Sequence, residues 1–324
     1  MPPRSPLPQR FGLDAAWLRT LDGDPANPRP WSTMRDWLAH RLSEHIDVDA
    51  FLAEERFVEQ DGSPVRPDAA YRPNTFVWFH RDLAEETPVP GEVRVVYRDE
   101  RIVVLDKPAF LSSIPRGKHV TQSVVVRMRH ELGLPELTPM HRLDRVTSGL
   151  LLMATERRWR GAYQSMFMRG EVGKTYRALA GIRDDLALPA TVRNHLQKRR
   201  GIMQGEVVPG AAPNAESLVE LERELPPGKV TLPGSEALPA GERLGVYRLS
   251  PHTGKTHQLR LHMWGLGIPI VGDPLYPEVR DVAVDDFSTP LQLLASELRF
   301  RDPIDGADRR FESTREFPLT NAPS

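Results

Sequence analysis

The order of apolar and polar positions along the chain changes its period repeatedly, and each change predicts a separate element. Met34, Trp37, Leu38 and Leu42 recur at the spacing of one helical face, which predicts a helix beginning near Met34. The same criteria predict further helices over 48–55, 121–132, 156–169 and 256–265. Period-two alternation or short apolar runs predict strands over 71–80, 93–97, 102–105, 172–180, 217–221, 244–249 and 291–300. A hairpin with an Asp-Gly turn is predicted over 57–65.

These elements favour an α+β fold. Strands and helices do not alternate strictly and hairpin signals recur, so we expect a mostly antiparallel mixed sheet with flanking helices. Residues 1–30 are rich in proline and are predicted to be a disordered tail. Two short helices and a hairpin over 31–88 predict a small separate module, and the prolines of 85–90 predict a domain boundary.

The stretch His141–Ala154 combines a polar half with an apolar half. Its second half, Leu-Leu-Leu-Met-Ala, is long enough for one buried strand and too short for a capped buried helix. The polar half places Asp144 between Arg142 and Arg145. Taken alone, this arrangement is more often a loop ion pair than a reactive carboxylate, and both interpretations stay open at this point.

Composition removes several classes of function. The chain of 324 residues has no cysteine, which excludes disulfides, thiol nucleophiles and cysteine-ligated metals. No apolar run approaches the roughly 18 residues needed to span a bilayer, and the first ten residues lack the apolar core of a signal peptide. We therefore expect a cytoplasmic protein. The net charge of −1 does not by itself indicate a nucleic-acid partner, although basic residues cluster over 157–177 and 198–200.

Two distant segments supply groups that suit a reactive aspartate. An ionised buried carboxylate needs a nearby cation, which Arg260 could provide, with Leu261 beside it. Tyr176 could offer a flat ring for a base to stack on. The alternatives are an ordinary amphipathic helix and a tyrosine packed in a sheet. The spacing of His252, His257 and His262 does not place them on one helix face, so no metal site is predicted.

The motifs resemble those of the RluA-type RNA pseudouridine synthases. The sequence His-Arg-Leu-Asp-Arg-Val-Thr-Ser-Gly-Leu-Leu-Leu over 141–152 is similar to their catalytic motif. Four further segments resemble family motifs in the same order: 104–108, 174–179, 253–262 with 269–276, and 294–300. The resemblance covers about 89–318, which implies a catalytic domain over that range. The module over 31–88 resembles a degenerate S4-type RNA-binding domain.

The resemblance implies a role for each matching residue. Asp144 would be the nucleophile on a flipped-out uridine, and Arg142 would occupy the gap that the uridine leaves. Tyr176 would stack on the flipped base, Arg260 would be the basic partner of the aspartate, and Leu261 would line the pocket. The family reaction needs no cofactor, and the implied partner is rRNA or tRNA. We expect a monomer.

Departures from the family pattern leave the substrate open. Lys255 stands where an arginine is common, and 110–113 and 214–217 are unusual. None of these changes Asp144, Tyr176 or Arg260. Two alternatives are weighed against the synthase: a catalytically silent RNA-binding protein of the same fold, and a glycosidase. The glycosidase is disfavoured because such enzymes typically pair two carboxylates, and no second one accompanies the Asp144 motif.

Overall fold

The computed structural model describes residues 2–20, 31–117, 119–226 and 243–319. It divides the chain into two compact units, Met1–Glu85 (unit 1) and Glu86–Ser324 (unit 2). The division falls inside the proline-containing stretch over 85–90 that the sequence predicts as a boundary.

Unit 1 is a small α+β module with its own apolar core. Its elements are β1 (Ala16–Arg19), α1 (Met34–Arg41), α2 (Val48–Ala53) and β2 (Phe76–Phe79). Thr33 caps α1 by accepting the Asp36 N–H, and Asp47 caps α2 by accepting the Ala50 N–H. Both helices turn their apolar residues into one cluster with the strands: Met34, Trp37, Leu38, Phe51, Leu52, Val77 and Phe79.

The structure corrects the predicted disordered tail at one place and reduces the predicted hairpin. Residues Ala16–Arg19 form β1, which pairs antiparallel with β2, because backbone hydrogen bonds to a neighbouring strand order a segment that has no prolines of its own. Residues 21–30 lie outside the described residues. The hairpin predicted over 57–65 forms without regular strands: the N–H groups of Val65 and Glu59 donate to the carbonyl oxygens of Phe57 and Ser63, both at 2.8 Å, around one bridge between Val58 and Pro64.

Unit 2 is built on one large sheet. Within its described ranges, ten strands join in the order β3-β4-β6-β13-β7-β12-β11-β8, with β14 on β13 and β5 on β6. Only the β6–β13 pairing in this set is parallel. The strand bounds are β3 Arg94–Arg98, β4 Ile102–Lys107, β5 Thr138–Pro139, β6 Ser148–Ala154, β7 Gly173–Gly181, β8 Ala190–Asn194, β11 Ala215–Glu224, β12 Leu244–Pro251, β13 Leu293–Arg301 and β14 Asp308–Glu312. Two short strands, β9 (Leu196–Gln197) and β10 (Glu206–Val207), form a separate hairpin.

The neighbouring strands β4 and β6 are buried along their whole length. Their residues alternate between two cores, because neighbouring side chains of a strand point to opposite faces. Leu151 and Met153 pack on the face covered by α3 (Val124–Leu132), whereas Leu150 and Leu152 pack on the face covered by α4 (Arg157–Met168). A sheet covered on both faces explains why the second half of His141–Ala154 is an unbroken apolar run.

Helix ends differ slightly from the predicted ones. Gly133 follows α3 with a left-handed φ of +65°, and α3 begins at Val124 rather than at residue 121. Thr155 does not cap α4, since its hydroxyl donates to the Glu100 carbonyl oxygen at 2.6 Å. The last helix, α5, spans Gln258–Gly265, two residues shorter at its start than predicted.

Candidate active site

Asp144 lies in a tight turn immediately before β6. The Thr147 N–H donates to the Asp144 carbonyl oxygen at 3.0 Å and closes the turn. Next to it, Ser113 fixes Leu143 from both sides: the Ser113 hydroxyl donates to the Leu143 carbonyl at 2.8 Å and accepts its N–H at 3.1 Å. The backbone that carries Asp144 is therefore held by the buried strand after it and by a hydroxyl before it.

Lys107 holds the same turn from inside the protein. Its side chain is fully buried, and Nζ donates to the carbonyl oxygens of Pro108 (2.9 Å), Leu111 (2.8 Å) and Arg145 (3.1 Å). Burial lowers the pKa of Lys107 well below its usual range. The Lys-Pro motif thus stabilises the turn that follows Asp144, a role that sequence reasoning did not assign.

Gly149 permits a close approach between two strands. Its φ of +108° suits glycine alone, and a Cβ there would lie 2.3 Å from the Ala295 carbonyl oxygen. Ala295 on β13 is paired with Gly149 on one side and with Tyr176 of β7 on the other. The strand after Asp144 and the strand that carries Tyr176 are therefore separated by the backbone of β13 alone.

Arg260 is the cation that faces Asp144. Its Nη1 lies 3.4 Å from Asp144 Oδ2, while its Nε and Nη2 donate to Asp273 at 2.7 and 2.5 Å. Asp273 Oδ1 also accepts hydrogen bonds from the N–H groups of Leu275 and Tyr276. This carboxylate therefore holds both the Arg260 guanidinium and the backbone that leads to Tyr276. Burial opposes the charge of Arg260, but the hydrogen bonds and charge of Asp273, and then the charge of Asp144, raise its pKa. A permanent positive charge thus faces the nucleophile candidate.

Tyr176 is half-buried on β7 and packs against two apolar cores. Burial, and then the negative charge of Asp144, raise the pKa of its hydroxyl. The ring is therefore near Asp144 and carries a neutral hydroxyl at physiological pH. The structure brings Asp144, Tyr176 and Arg260 together from three distant parts of the sequence.

The two arginines that flank Asp144 differ. Arg142 is exposed, and no described residue accepts a hydrogen bond from its guanidinium. Arg145 is half-buried and donates to the carbonyl oxygens of Phe110 (3.5 Å) and Val284 (3.1 Å). The hydrogen bonds of Arg145 to described residues therefore go to backbone carbonyl oxygens.

Leu261 lies in a buried apolar cluster. It is 1% exposed and packs with Leu196, Ala215 and Tyr276. In α5, neighbouring residues point in different directions. Arg260 therefore reaches Asp144, while Leu261 packs in the cluster that contains Tyr276.

His257 and Tyr276 also belong to the site, and the sequence did not single them out for it. His257 Nε2 lies 3.9 Å from Asp144 Oδ2, and His257 Nδ1 lies 2.9 Å from Tyr276 Oη. The guanidinium of Arg260 lies 5.2 Å from the centre of the Tyr276 ring. The sequence signal that could have identified them is their position within the family motifs over 253–262 and 269–276.

In the described parts of the chain, no cluster of three histidine or carboxylate side chains is placed to hold a metal ion. Nor does any helix in those parts have the length and apolar character required to cross a membrane.

Comparison with known proteins identifies the family. The profile of the RNA pseudouridylate synthase family matches residues 101–264, about half of the chain. The chain is 34% identical over 226 residues to the dual-specificity RNA pseudouridine synthase RluA of Pasteurella multocida, covering 67% of this chain and 90% of the relative. It is 34% identical over 219 residues to the tRNA pseudouridine synthase C of Vibrio vulnificus, covering 65% and 86%.

A solved structure agrees on the fold. Human RNA pseudouridylate synthase domain containing 1 superposes with a TM-score of 0.53 at 23% identity, covering 72% of this chain and 86% of the other. The chain belongs to the RNA pseudouridylate synthase family, within the group that includes the RluA enzymes. The predictions of this fold and of an RNA pseudouridine synthase are thereby confirmed.

Proposed function

We propose that Asp144 is the nucleophile with which this enzyme isomerises a uridine of rRNA or tRNA to pseudouridine. The observation that carries the proposal is the contact between Asp144 and Arg260, in which the arginine is buried while the Asp144 side chain stays 34% exposed. A carboxylate that is oriented from inside and open to solvent on its outer side can meet a substrate. In the reaction the bond from C1′ to N1 of the uracil breaks, a bond from C1′ to C5 forms, C5 loses a proton and N1 gains one.

Arg142 is proposed to enter the RNA stack when the uridine leaves it. Its guanidinium is exposed, lies two residues from Asp144 and has no described partner to give up. A planar cation can replace a flipped base by stacking on its neighbours.

Tyr176 is proposed to stack on the flipped base. Its half-buried ring is anchored by packing against both cores of the sheet, and the charge of Asp144 acts on its hydroxyl. Leu261 is proposed to support the pocket from below through Tyr276. Tyr176→Ala is expected to reduce pseudouridine formation strongly and Tyr176→Phe only a few-fold, since a phenyl ring keeps the stacking surface.

The Asp144→Asn variant tests the nucleophile. Asparagine has the same size but cannot attack, so we expect no pseudouridine in single-turnover assays while RNA affinity stays within a few-fold of wild type. Asp308→Asn, an exposed aspartate on β14, is the matched control and is expected to behave as wild type. Undiminished product from Asp144→Asn would contradict the role. RNA binding without product by the wild-type protein would instead favour the silent binding protein.

The target RNA follows from the relatives only as a class. One of them is named as acting on tRNA and another as having dual specificity for RNA. Mapping pseudouridine in total cellular RNA with and without this gene would identify the modified position. We propose that the enzyme acts in the cytoplasm, and as a monomer, which sedimentation at several concentrations would check.

Unit 1 is proposed to be a degenerate S4-like module that adds RNA contacts to the catalytic domain over 89–318. Its support is the order of α1, α2 and the bridge between Val58 and Pro64. Arg41, exposed in the last turn of α1, and Arg66 are two candidates for phosphate contacts. Replacing both by glutamate is expected to weaken RNA binding several-fold and to reduce the dependence of the affinity on salt concentration. The rate of pseudouridine formation by the RNA-bound enzyme is expected to stay the same.

A further inference from the structure

His257 connects Asp144 to a second hydrogen-bonding group. It directly precedes α5 with a φ of +57°, in the left-handed region. Its Nε2 lies 3.9 Å from Asp144 Oδ2, its Nδ1 lies 2.9 Å from Tyr276 Oη, and the Gly205 N–H donates to the same Oη at 2.7 Å. The rings of His257 and Tyr276 meet edge to face, with centres 5.7 Å apart.

The hydrogen bonds assign the tautomer of His257. Tyr276 Oη already accepts one N–H, and its own proton has a single acceptor among the described residues, which is His257 Nδ1. Nδ1 therefore accepts, and a neutral imidazole must then carry its proton on Nε2. The opposite tautomer would leave the tyrosine proton without a partner and would turn a lone pair toward a carboxylate. Both arguments place an N–H opposite Asp144.

The protonation states are consistent with this assignment. Burial lowers the pKa of His257, against the charge of Asp144, which raises it. Burial raises the pKa of Tyr276, so that its hydroxyl remains a donor at neutral pH.

We propose that His257 is a positioning residue for Asp144: its Nε2–H holds Oδ2 of the carboxylate, and Tyr276 fixes the tautomer that makes this possible. This inference rests on the proposed function of Asp144. It assigns the two carboxylate oxygens different tasks. Arg260 and His257 both approach Oδ2, and no described residue bonds Oδ1, which is left to attack the substrate.

The distance of 3.9 Å is longer than a hydrogen bond, which requires about 3.2 Å or less. Catalytic hydrogen bonds are often long without substrate and shorten in the complex. A rotation of the Asp144 side chain, which is 34% exposed, would close the gap. The histidine itself stays in place because Tyr276 holds its other nitrogen.

A matched pair of variants tests the positioning role. His257→Gln retains an N–H donor, whereas His257→Met has a similar length and no donor, and both pay the same penalty for the positive φ. We expect the methionine variant to lose about tenfold or more in kcat with KM little changed, and the glutamine variant to stay within about threefold of wild type. Equal losses in both variants, or no loss in either, would overturn the proposal. His130→Gln, an exposed histidine in α3, controls for the exchange itself.

The tautomer is tested by NMR of protein labelled with ¹⁵N-histidine. We expect the wild-type His257 to be protonated on Nε2 only, and Tyr276→Phe to give a mixture of tautomers with a kcat about threefold to tenfold lower. The phenyl ring keeps the packing against His257, so this variant remains informative even if the His257 variants do not fold. An Nδ1–H tautomer in the wild type would overturn the proposal. An inactive wild-type enzyme would instead refute the proposed function, and the NMR result would be unaffected.

Discussion

Two clusters of aspartate, arginine and tyrosine lie in unit 2, and they treat their carboxylates differently. Asp302 is fully buried, accepts hydrogen bonds from Tyr163 (2.9 Å) and the Ile304 N–H (2.9 Å), and lies 3.6 Å from Arg309. Asp144 is 34% exposed, and its shortest charged contact is the 3.4 Å to Arg260. Both oxygens of Asp302 accept hydrogen bonds, whereas Oδ1 of Asp144 has no partner among the residues that the structure describes. The first carboxylate is saturated with partners, and the second is oriented on a single side, as the proposed nucleophile requires.

The largest expected effect is that removing the charge of Asp144 lowers the reaction rate, whereas removing the charge of Asp302 lowers the stability. Asp144→Asn is expected to lower the rate of pseudouridine formation on the order of a thousandfold or more, with the free energy of unfolding changed by less than about 0.5 kcal/mol. Asp302→Asn is expected to lower the free energy of unfolding by about 3 kcal/mol, because Arg309 and Arg101, the latter 3.9 Å away, lose a charged partner, and to leave the rate of the folded enzyme intact. Urea unfolding and single-turnover assays would measure both; a similar profile for the two variants would remove the distinction.

Arg260→Lys sharpens the comparison, because Arg260 bonds the buried carboxylate of Asp273 and also contacts the partly exposed carboxylate of Asp144. A lysine cannot bond Asp273 with two parallel N–H groups and also reach Asp144. We expect about a hundredfold loss in kcat together with a loss of about 2 kcal/mol in the free energy of unfolding. A variant that lost only stability would show that the contact with Asp144 has no role in the reaction.

The two arginines beside Asp144 give a third, smaller contrast. Arg142→Ala is expected to lower the rate about tenfold at an unchanged melting temperature, since the exposed guanidinium has no described partner. Arg145→Ala is expected to cost about 1 kcal/mol of stability, because it removes the bond to the Val284 carbonyl oxygen. Thermal unfolding and RNA assays on both would check this, and an equal effect on stability would contradict it.

The smallest effect concerns pH. Burial lowers the pKa of His141 to about 3, while Nε2 accepts the Leu152 N–H at 3.1 Å. Between this value and an ordinary pKa near 6.5, the unfolded chain binds more protons than the folded one, so stability falls as the pH is lowered from about 6.5 towards 3. Between pH 7 and pH 5, wild type is expected to lose about 1 to 2 kcal/mol more than His141→Asn, which cannot titrate. Identical pH profiles would show that the ring is not buried in its neutral form.

Much of the fold could be predicted from local patterns. The apolar run over 150–154 is β6, the stripe over 156–169 is α4, and the helices over 34–42 and 48–55 are α1 and α2. The missed strands are β1, β5, β8, β9, β10 and β14. They are short or largely polar, and β1 also depends on β2, a partner that is distant in sequence. Strand pairing of this kind has no local signal.

The site could be predicted in part. Asp144, Tyr176 and Arg260 were found because motif resemblance carries information about distant residues, and the structure brings them together. Lys107 and His257 were missed, because a buried lysine bonded to three carbonyl oxygens and a histidine with a fixed tautomer depend on three-dimensional surroundings. The carbonyl partners of Arg145 could not be predicted for the same reason, since adjacency in sequence does not show where a side chain lies.

Gly149 also affects the spacing between Asp144 and Tyr176, because it has no Cβ. At Gly149 the backbone of Ala295 occupies the space where any other residue would carry its first side-chain carbon. Ala295 is also the strand partner of Tyr176. A methyl group at 149 would force the backbones of β6 and β13 apart, and β13 is the neighbour of the strand that carries Tyr176. The spacing between the proposed nucleophile and the proposed stacking ring therefore depends on a glycine five residues after Asp144.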